Sequence, residues 1–248
     1  KVQGNNIQCG YHGLVFDPDG ECVEVPSQNR VPPDARVKKY PLYEKYGWVW
    51  AWMGDPLKMD VTLIPDTFWH ESDQWLPVAD KFYVHSNYQY LIDIQLDNTH
   101  SRFVHPDTLG NAGSLRHSPK VERVGETVHN TREMRDSDPP PYMVNATGHT
   151  GNADVWVAWT YYPRAGLITF DTGIAELDGG IFEGKDCTAY KVFNTHGITP
   201  ETENTTHHFW VSSRNFSLKK RNSSCVRFLY FKTFNLLDSS EKMKKIVF

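Results

Sequence analysis

The run Gln8-Cys9-Gly10-Tyr11-His12-Gly13-Leu14-Val15-Phe16-Asp17 places a thiol and an imidazole three residues apart in a segment with two glycines. A Cys-x-x-His pair can supply half of a zinc site, or half of the mixed thiolate and imidazole set that binds a [2Fe–2S] cluster. Gly10 and Gly13 let backbone N–H groups approach a cluster sulfur. The flanking residues therefore favour the iron–sulfur interpretation over zinc.

The composition indicates a globular protein whose cysteines suit a reducing compartment. The 248 residues suit one large domain or two modest ones, with 39% hydrophobic and 13% aromatic residues. The net charge of -4 offers no electrostatic footprint for nucleic acid or an anionic membrane, and no apolar run is long enough to span a bilayer. Four scattered cysteines, namely Cys9, Cys22, Cys187 and Cys225, do not form a disulfide framework and suit a reducing compartment.

The first 55 residues are predicted to form short strands. Asp17-Pro18-Asp19-Gly20 is a turn signal between two apolar runs. Residues 46–53 alternate large aromatic side chains at period two, which predicts a strand. A linker to about residue 75 follows Gly54-Asp55-Pro56.

The remainder of the chain has a different pattern. Residues 82–90 predict a strand that runs into a helix, and residues 88–104 predict an irregular helix. Residues 107–150 are polar and rich in Gly, Asn, Pro and His, so that no strand is predicted there and Pro139-Pro140-Pro141 is a loop. Further strands are predicted at 155–162, 167–170, 189–196 and 207–212. This spacing predicts an α+β domain with an antiparallel sheet.

A second set of potential metal ligands is Asp97-Asn98-Thr99-His100-Ser101-Arg102-Phe103-Val104-His105-Pro106. On a helix Asp97 and His100 would share a face, but His105 would lie off it. Both imidazoles can therefore reach one ion only if the helix is distorted or ends between them, and Pro106 is consistent with an end. Two imidazoles and a carboxylate leave open positions on iron. With 11 histidines in the chain, coincidence is the alternative.

Together, the Cys-x-x-His loop and an Asp-x-x-His-x4-His motif about ninety residues later resemble the oxygenase component of Rieske non-haem iron oxygenases. Residues 40–56 are similar to the segment that closes the Rieske domain, and residues 103–110 and 198–210 resemble the vanillate O-demethylase branch. The resemblance implies an α+β protein: a partial all-β Rieske domain over residues 1–55, then a helix-grip (START-like) catalytic domain with an antiparallel sheet over residues 56–248. The first cluster-ligand loop and part of the C-terminus are expected to be missing.

The resemblance also implies roles for individual residues. Cys9 and His12 would bind the Rieske [2Fe–2S] cluster, and without the other loop this chain alone is not expected to assemble it. His100 and His105 would bind a mononuclear Fe(II). Asp97 would bridge His100 to the cluster histidine, His12, of a neighbouring subunit in a homotrimer.

The third iron ligand is expected to be a carboxylate near the C-terminus. Asp238, in Thr233-Phe234-Asn235-Leu236-Leu237-Asp238, is the candidate, although the family's acidic pair is here replaced by Leu236-Leu237. Glu241 is the alternative.

The implied activity is an O2-dependent O-demethylation or hydroxylation of an aromatic acid such as vanillate, by a bacterial cytoplasmic enzyme of aromatic compound degradation. Oxygen insertion at a methoxy carbon gives a hemiacetal that loses formaldehyde. Electrons would come from NADH or NADPH through a separate reductase with a flavin and a ferredoxin-type cluster. Phe170, Ile174 and Phe182 are candidates for the substrate pocket.

Alternatives remain open at this point: a ring-hydroxylating dioxygenase, an N-demethylase, a stand-alone Rieske electron carrier, or an iron-free helix-grip protein that binds ligands. The sequence does not identify the substrate.

Overall fold

A computed structural model describes residues 1–218, which belong to two compact units: Lys1–Thr62 and a second unit that begins at Leu63. The predicted domain boundary after residue 55 stays a prediction. Among the described residues, no helix has the length and apolar character needed to cross a membrane.

The first unit begins with an antiparallel sheet whose four strands lie in chain order. These strands are β1 (Val2–Gln3), β2 (Asn6–Gln8), β3 (Val15–Phe16) and β4 (Cys22–Glu24). The predicted turn joins β3 to β4: the Gly20 N–H donates to the Asp17 carbonyl at 3.0 Å, and Asp17 Oδ1 accepts from the Asp19 N–H at 2.9 Å. An aspartate that binds the backbone two residues ahead is typical of such turns.

The first unit also contains a hairpin of β5 (Leu42–Lys45) and β6 (Trp48–Ala51). The prediction of one strand over residues 46–53 was wrong at its start. Tyr46 and Gly47 have φ values of 59° and 72°, so they form the two-residue turn between the strands. The aromatic alternation continued through the turn and concealed it.

The second unit is built on a seven-stranded antiparallel sheet with strand order β7-β13-β12-β11-β10-β9-β8. Its strands are β7 (Leu76–Val84), β8 (Lys120–Val124), β9 (Thr127–Ser137), β10 (Ala153–Tyr162), β11 (Leu167–Ala175), β12 (Ala189–Thr202) and β13 (Thr205–Arg214). The strands predicted at 155–162, 167–170, 189–196 and 207–212 are therefore confirmed, and all four are longer than predicted. The strand predicted from residue 82 is present as β7, but it begins at Leu76 and ends at Val84.

Two strands, β8 and β9, and two helices, α3 and α4, within residues 107–150 were not predicted. Strand β9 turns Asn130, Arg132 and Met134 to the buried side, and two of these three side chains are polar. Its inward face therefore lacks the apolar alternation by which strands are recognised. Pro141 is the first residue of a helix rather than a loop residue, a position where proline is tolerated because its missing N–H would be unpaired in any case.

The helices are short and lie between strands. They are α1 (Tyr88–Leu96), α2 (Ser101–Val104), α3 (Gly113–Arg116) and α4 (Pro141–Thr147), with 3-10 turns at Pro56–Lys58, Val61–Leu63, Phe68–His70, Pro163–Ala165 and Ile181–Glu183. Leu91 of α1 packs on the sheet against Ile168 and Ile198, and Met143 of α4 packs in a second cluster with Met134. These contacts hold α1 and α4 over the same sheet. The break between α1 and α2 lies in the part of the chain that connects these two helices.

Candidate metal centre and its pocket

His100 and His105 lie at the two ends of α2, after a break in the predicted helix. Helix α1 ends at Leu96, His100 is the N-cap of α2 and His105 is its C-cap. The imidazole centroids are 5.4 Å apart and the ring planes cross at 75°. With metal–nitrogen bonds of about 2.1 Å, rings at this separation can share one ion. The predicted end of the helix between the two histidines is confirmed, because α2 ends at Val104 and His105 has a non-helical backbone, with φ -126° and ψ 47°.

The break between α1 and α2 also corrects the expectation that Asp97 and His100 share a helix face. Asp97 caps the end of α1 with an extended backbone, φ -86° and ψ 103°, so Asp97 and His100 do not share a helix face. The sequence pattern was interpreted as one irregular helix over residues 88–104, whereas α1 ends at Leu96 and the chain turns at Asp97.

The environment of His105 suits a metal ligand. The residue is only 3% exposed, and its Nδ1 is buried without a hydrogen-bond partner among the described residues. Burial, followed by the charge of His100, lowers the pKa of His105, which favours the neutral imidazole that metals bind. A buried nitrogen without a partner normally requires an explanation, and an ion bound at this atom would provide one.

The described residues place two candidate ligands, His100 and His105, near each other and bring no third candidate to them. No group of three or more His, Cys, Asp or Glu side chains that could hold a metal ion occurs within residues 1–218. Asp238 and Glu241, the two candidates for the carboxylate, lie outside the described residues. Two imidazoles still fit part of a two-His, one-carboxylate iron site.

Asp97 is exposed and its carboxylate is held by its own turn. Asp97 Oδ1 accepts from the Thr99 N–H at 2.8 Å and from the Thr99 hydroxyl at 2.6 Å. The hydroxyl bond from Thr99 is the main cause of a lowered pKa for Asp97, with smaller contributions from the charges of His100 and Arg132. Asp97 is therefore ionised at neutral pH and fixes the backbone that leads to His100.

Two further residues, which were not singled out from the sequence, hold the ends of α1 and α2. The Asn130 side-chain amide donates to the Leu96 carbonyl at 2.9 Å, which satisfies a carbonyl at the end of α1. Gly110 donates its N–H to the His105 carbonyl at 2.9 Å. A Cβ at Gly110 would lie 2.7 Å from the Ser101 carbonyl oxygen and 2.8 Å from the Arg102 Cα, so only glycine fits there.

Replacing Gly110 with Ala is expected to lower the free energy of unfolding by about 2 kcal/mol and to reduce iron occupancy, because backbone atoms of α2 must move. Urea unfolding and iron analysis of the purified protein check this. Gly125→Ala is the control, since it has a positive φ of 59° but open space around it and lies away from the histidines. Equal iron content in Gly110→Ala and Gly125→Ala would contradict the role of this close contact.

The two histidines form part of the wall of a cavity of about 280 Å³. Two neighbouring rows of cross-strand partners form its floor. One row is Trp159, Phe170, Asn194 and Ser212, and the next is Arg132, Val157, Thr172, Val192 and Arg214. The volume suits a ligand of about one aromatic ring, since it lies just below the usual range for drug-sized pockets.

The rings in this floor offer an aromatic surface. Trp159 and Phe170 stack with centroids 3.9 Å apart and planes at 17°. Of the three residues predicted to line the pocket, Phe170 does so. Ile174 instead packs in the hydrophobic core, and the Phe182 ring lies under the guanidinium of Arg135 at 4.8 Å.

A buried histidine pair adds a polar group to the pocket. His196 lines the cavity, and its Nδ1 lies 3.0 Å from Nε2 of His208. Burial lowers the pKa of His208 to about 4, and burial together with His208 lowers the pKa of His196 well below its usual value. Both rings are therefore neutral at pH 7. This pair was not predicted from the sequence, because the contact arises between two adjacent strands.

The Cys-x-x-His loop of the first unit favours a thiolate. The Tyr11 N–H lies 3.5 Å from Cys9 Sγ, and the N–H groups of Tyr11 and then His12 lower the pKa of Cys9. Gly13, with φ of 77°, donates its N–H to the Cys9 carbonyl at 3.2 Å and closes the loop. Amide N–H groups directed at the Cys9 sulfur and an exposed thiol fit a cluster ligand.

Comparison with known proteins gives consistent results for both units. Residues 84–227 match the vanillate O-demethylase oxygenase C-terminal domain, and residues 1–41 match the Rieske [2Fe–2S] domain. The iron–sulfur subunit of the toluene-4-sulfonate monooxygenase system of Comamonas testosteroni is 37% identical over 223 residues, which cover 88% of this chain and 64% of that subunit. A vanillate O-demethylase oxygenase subunit of a Pseudomonas species is 30% identical over 222 residues, which cover 87% of this chain and 66% of the relative.

The fold is also shared with a solved structure. Dicamba monooxygenase bound to 3,6-dichlorosalicylic acid matches 98% of this chain and 72% of its own chain, with a TM-score of 0.84 and 24% identity. The present chain spans less than two thirds of the length of either sequence relative. The matched domains, the 37% identity and the shared fold show that the chain belongs to the Rieske oxygenases, with a Rieske domain that is partial here and a helix-grip catalytic domain of the vanillate O-demethylase oxygenase type.

Proposed function

We propose that the protein is the terminal oxygenase component of a Rieske monooxygenase that O-demethylates or hydroxylates a small aromatic acid such as vanillate. The observation that carries this proposal is the pair of imidazoles, 5.4 Å apart, in the wall of a 280 Å³ cavity whose floor is a stacked Trp–Phe pair. Relatives named for vanillate O-demethylation, dicamba O-demethylation and toluene-4-sulfonate monooxygenation support the substrate class.

The metal-binding residues follow from the fit of the two histidines. His100, His105 and either Asp238 or Glu241 would hold Fe(II), and Cys9 and His12 would hold half of the Rieske cluster. When bound, the iron supplies open positions for O2 chemistry and the cluster supplies single electrons.

The protein groups around the site bind and orient the substrate. The faces of Trp159 and Phe170 offer a planar surface for an aromatic ring. His196 is neutral and held by His208, so it can hydrogen-bond a substrate oxygen without adding charge.

Electron delivery is proposed to involve Asp97. Its carboxylate is ionised and exposed, and it lies in the turn before His100. An exposed carboxylate at this position can accept a hydrogen bond from an imidazole of a second subunit, which we propose is His12 in a homotrimer. A carboxylate between two imidazoles fixes their tautomers and orientations.

The proposed partners complete the system. A reductase with a flavin and a ferredoxin-type cluster would transfer electrons from NADH or NADPH, in the cytoplasm of a bacterium. The net charge of -4 gives no support for a nucleic-acid partner.

A substrate screen tests the proposal. The full-length protein, a compatible reductase and NADH are incubated with methoxybenzoates, and O2 uptake, formaldehyde and phenolic product are measured. Equimolar formaldehyde and phenol indicate O-demethylation, whereas a hydroxylated product without formaldehyde indicates hydroxylation. A cis-dihydrodiol would support the dioxygenase alternative. Absence of substrate-dependent O2 uptake in iron-loaded protein across aromatic acids would contradict the proposed function.

A further inference from the structure

The pocket contains a buried positive charge that the proposed function does not yet use. Arg132, on β9, is 3% exposed and lines the cavity. Its Nε is buried without a hydrogen-bond partner, and no ion pair joins it to any of the described residues. Buried guanidinium groups are normally paired, because desolvation of a charge without compensation is costly.

The nearest negative charge does not pair with Arg132. Asp97 favours the charged form of Arg132 only through space, while burial acts against that form and lowers its pKa. The Asp97 carboxylate is exposed and accepts its two hydrogen bonds from Thr99. The guanidinium of Arg132 is therefore available to another anion.

The second arginine of the same cross-strand row has a different environment. Arg214 donates from Nε to the Phe216 carbonyl and from Nη2 to the Ser217 carbonyl, both at 3.1 Å. Arg214 thus holds the segment after β13, whereas Arg132 makes no such bond to the described chain. Nη1 of Arg214 is also buried without a hydrogen-bond partner among the described residues, but two of its three nitrogens are bound by the chain, which makes Arg132 the arginine with more capacity for a ligand.

Other buried polar atoms of the pocket floor also lack partners among the described residues. They include Nε1 of Trp159, a donor, and Oδ1 of Asn194, an acceptor. Trp159 and Asn194 belong to the same cross-strand row, which contains the stacked Trp159–Phe170 pair and is adjacent to the row of Arg132. An aromatic ring with polar substituents would satisfy such a surface.

We propose that Arg132 binds the anionic group of the substrate, a carboxylate or a sulfonate on a single aromatic ring, and thereby sets the specificity of the site for aromatic acids. This inference rests on the proposed function and names the residue that selects its substrate class. A planar guanidinium can bind either anion with two parallel N–H···O bonds. Anchoring the acid group would fix which ring substituent faces His100 and His105.

Ligand binding without turnover tests the proposal. Iron-loaded full-length protein is titrated anaerobically, without reductase, with vanillate, toluene-4-sulfonate and the neutral vanillamide, by calorimetry. Arg132→Gln is expected to weaken binding of the anions about 100-fold, since it removes one partner of a desolvated charge pair. Vanillamide affinity should change less than about threefold. Arg132→Lys keeps the charge but loses the planar fork, so an intermediate loss is expected.

The matched control is Arg135→Gln, the same chemical change three residues along β9. Arg135 is exposed and pairs with Glu183 at 2.8 Å, so its replacement should leave all three affinities unchanged. A loss restricted to vanillate or to toluene-4-sulfonate would show which anion Arg132 recognises. Unchanged affinity for both, or equal losses for the acids and the amide, would overturn the proposal.

Stability gives a second measurement. Because the ligand-free protein buries this charge without a partner, Arg132→Met should melt at the same temperature as wild type or higher. A clear fall in Tm, or failure of the Arg132 variants to fold, would show that Arg132 supports the fold and would overturn the proposal.

Turnover separates the role of Arg132 from the proposed function: wild-type protein that binds acids but consumes no O2 contradicts the proposed function alone. An active enzyme whose KM for vanillate is unaffected by Arg132→Gln contradicts the role of Arg132 alone.

Discussion

Replacing His105 with Ala is expected to abolish substrate-dependent O2 uptake and to empty the mononuclear iron site, while the visible spectrum of the Rieske cluster remains. His105 is buried, and its Nδ1 has no hydrogen-bond partner in residues 1–218, so an ion is the group we expect it to bind. Two remaining ligands hold Fe(II) poorly. The loss of turnover should exceed the 10- to 100-fold that removal of an outer partner of a metal ligand costs, roughly, in such sites.

Iron analysis and O2 uptake of the full-length variant measure both effects. His100→Ala should behave in the same way, because His100 and His105 lie at the two ends of the same short helix, α2. His149→Ala is the control, since this imidazole instead lies 3.2 Å from the Asn152 carbonyl oxygen, away from the candidate ligands. Full iron content and turnover in His105→Ala would refute the assignment of the iron ligands.

The third ligand is tested by the same measurements. Asp238→Ala should lose iron and turnover if Asp238 is the carboxylate ligand. If Asp238→Ala is fully active and Glu241→Ala is inactive, the assignment moves to Glu241.

Replacing Asp97 with Ala is expected to stop catalysis while both metal centres stay loaded. Asp97 is not a proposed ligand; its proposed role is to connect His12 of one subunit to His100 of another by hydrogen bonds. Removing it should slow reoxidation of the cluster by about 10- to 100-fold, the usual cost of losing such a partner. A single-turnover experiment with a prereduced cluster and O2 measures this rate. Wild-type reoxidation in Asp97→Ala would refute the bridging role.

The structure adds a control for this experiment, because Asp97 also holds its own turn. Asp97→Asn retains an oxygen that can accept the bonds from Thr99, so the turn should persist while the charge is lost. Thr99→Val removes the hydroxyl bond but keeps the carboxylate. If Thr99→Val slows reoxidation as much as Asp97→Ala, the turn rather than the bridge accounts for the effect.

Local chemistry made much of this protein predictable from its residues. The Cys9-Gly10-Tyr11-His12 loop has a thiol, an imidazole and a glycine within four residues. The Tyr11 N–H lies 3.5 Å from Cys9 Sγ. The strands of the second unit with an apolar face, such as Ala153–Tyr162, were recognised because burial of one face imposes a period of two. The end of the helix between His100 and His105 was predicted from the angular positions of side chains on a helix, and α2 does end at Val104.

Recognition failed where polar residues face inward. Strand β9 carries Asn130 and Arg132 on its buried face, and each serves the site rather than the hydrophobic core. A period-two pattern of hydrophobicity cannot appear on such a strand, since Asn130 and Arg132 are polar although they face inward. Tyr46 was missed for a related reason: an aromatic residue in a left-handed turn resembles the aromatic strand that follows it.

The sequence by itself determined the candidate ligands, the strands with apolar faces and the family, because each is written in residues close together along the chain. Only the tertiary structure decided which distant side chains share the pocket. The register of adjacent strands places Trp159 opposite Phe170 and Arg132 opposite Val157, and it brings His196 within 3.0 Å of His208. Strand register depends on pairing across the whole sheet, so these neighbours could not be obtained from local sequence spacing.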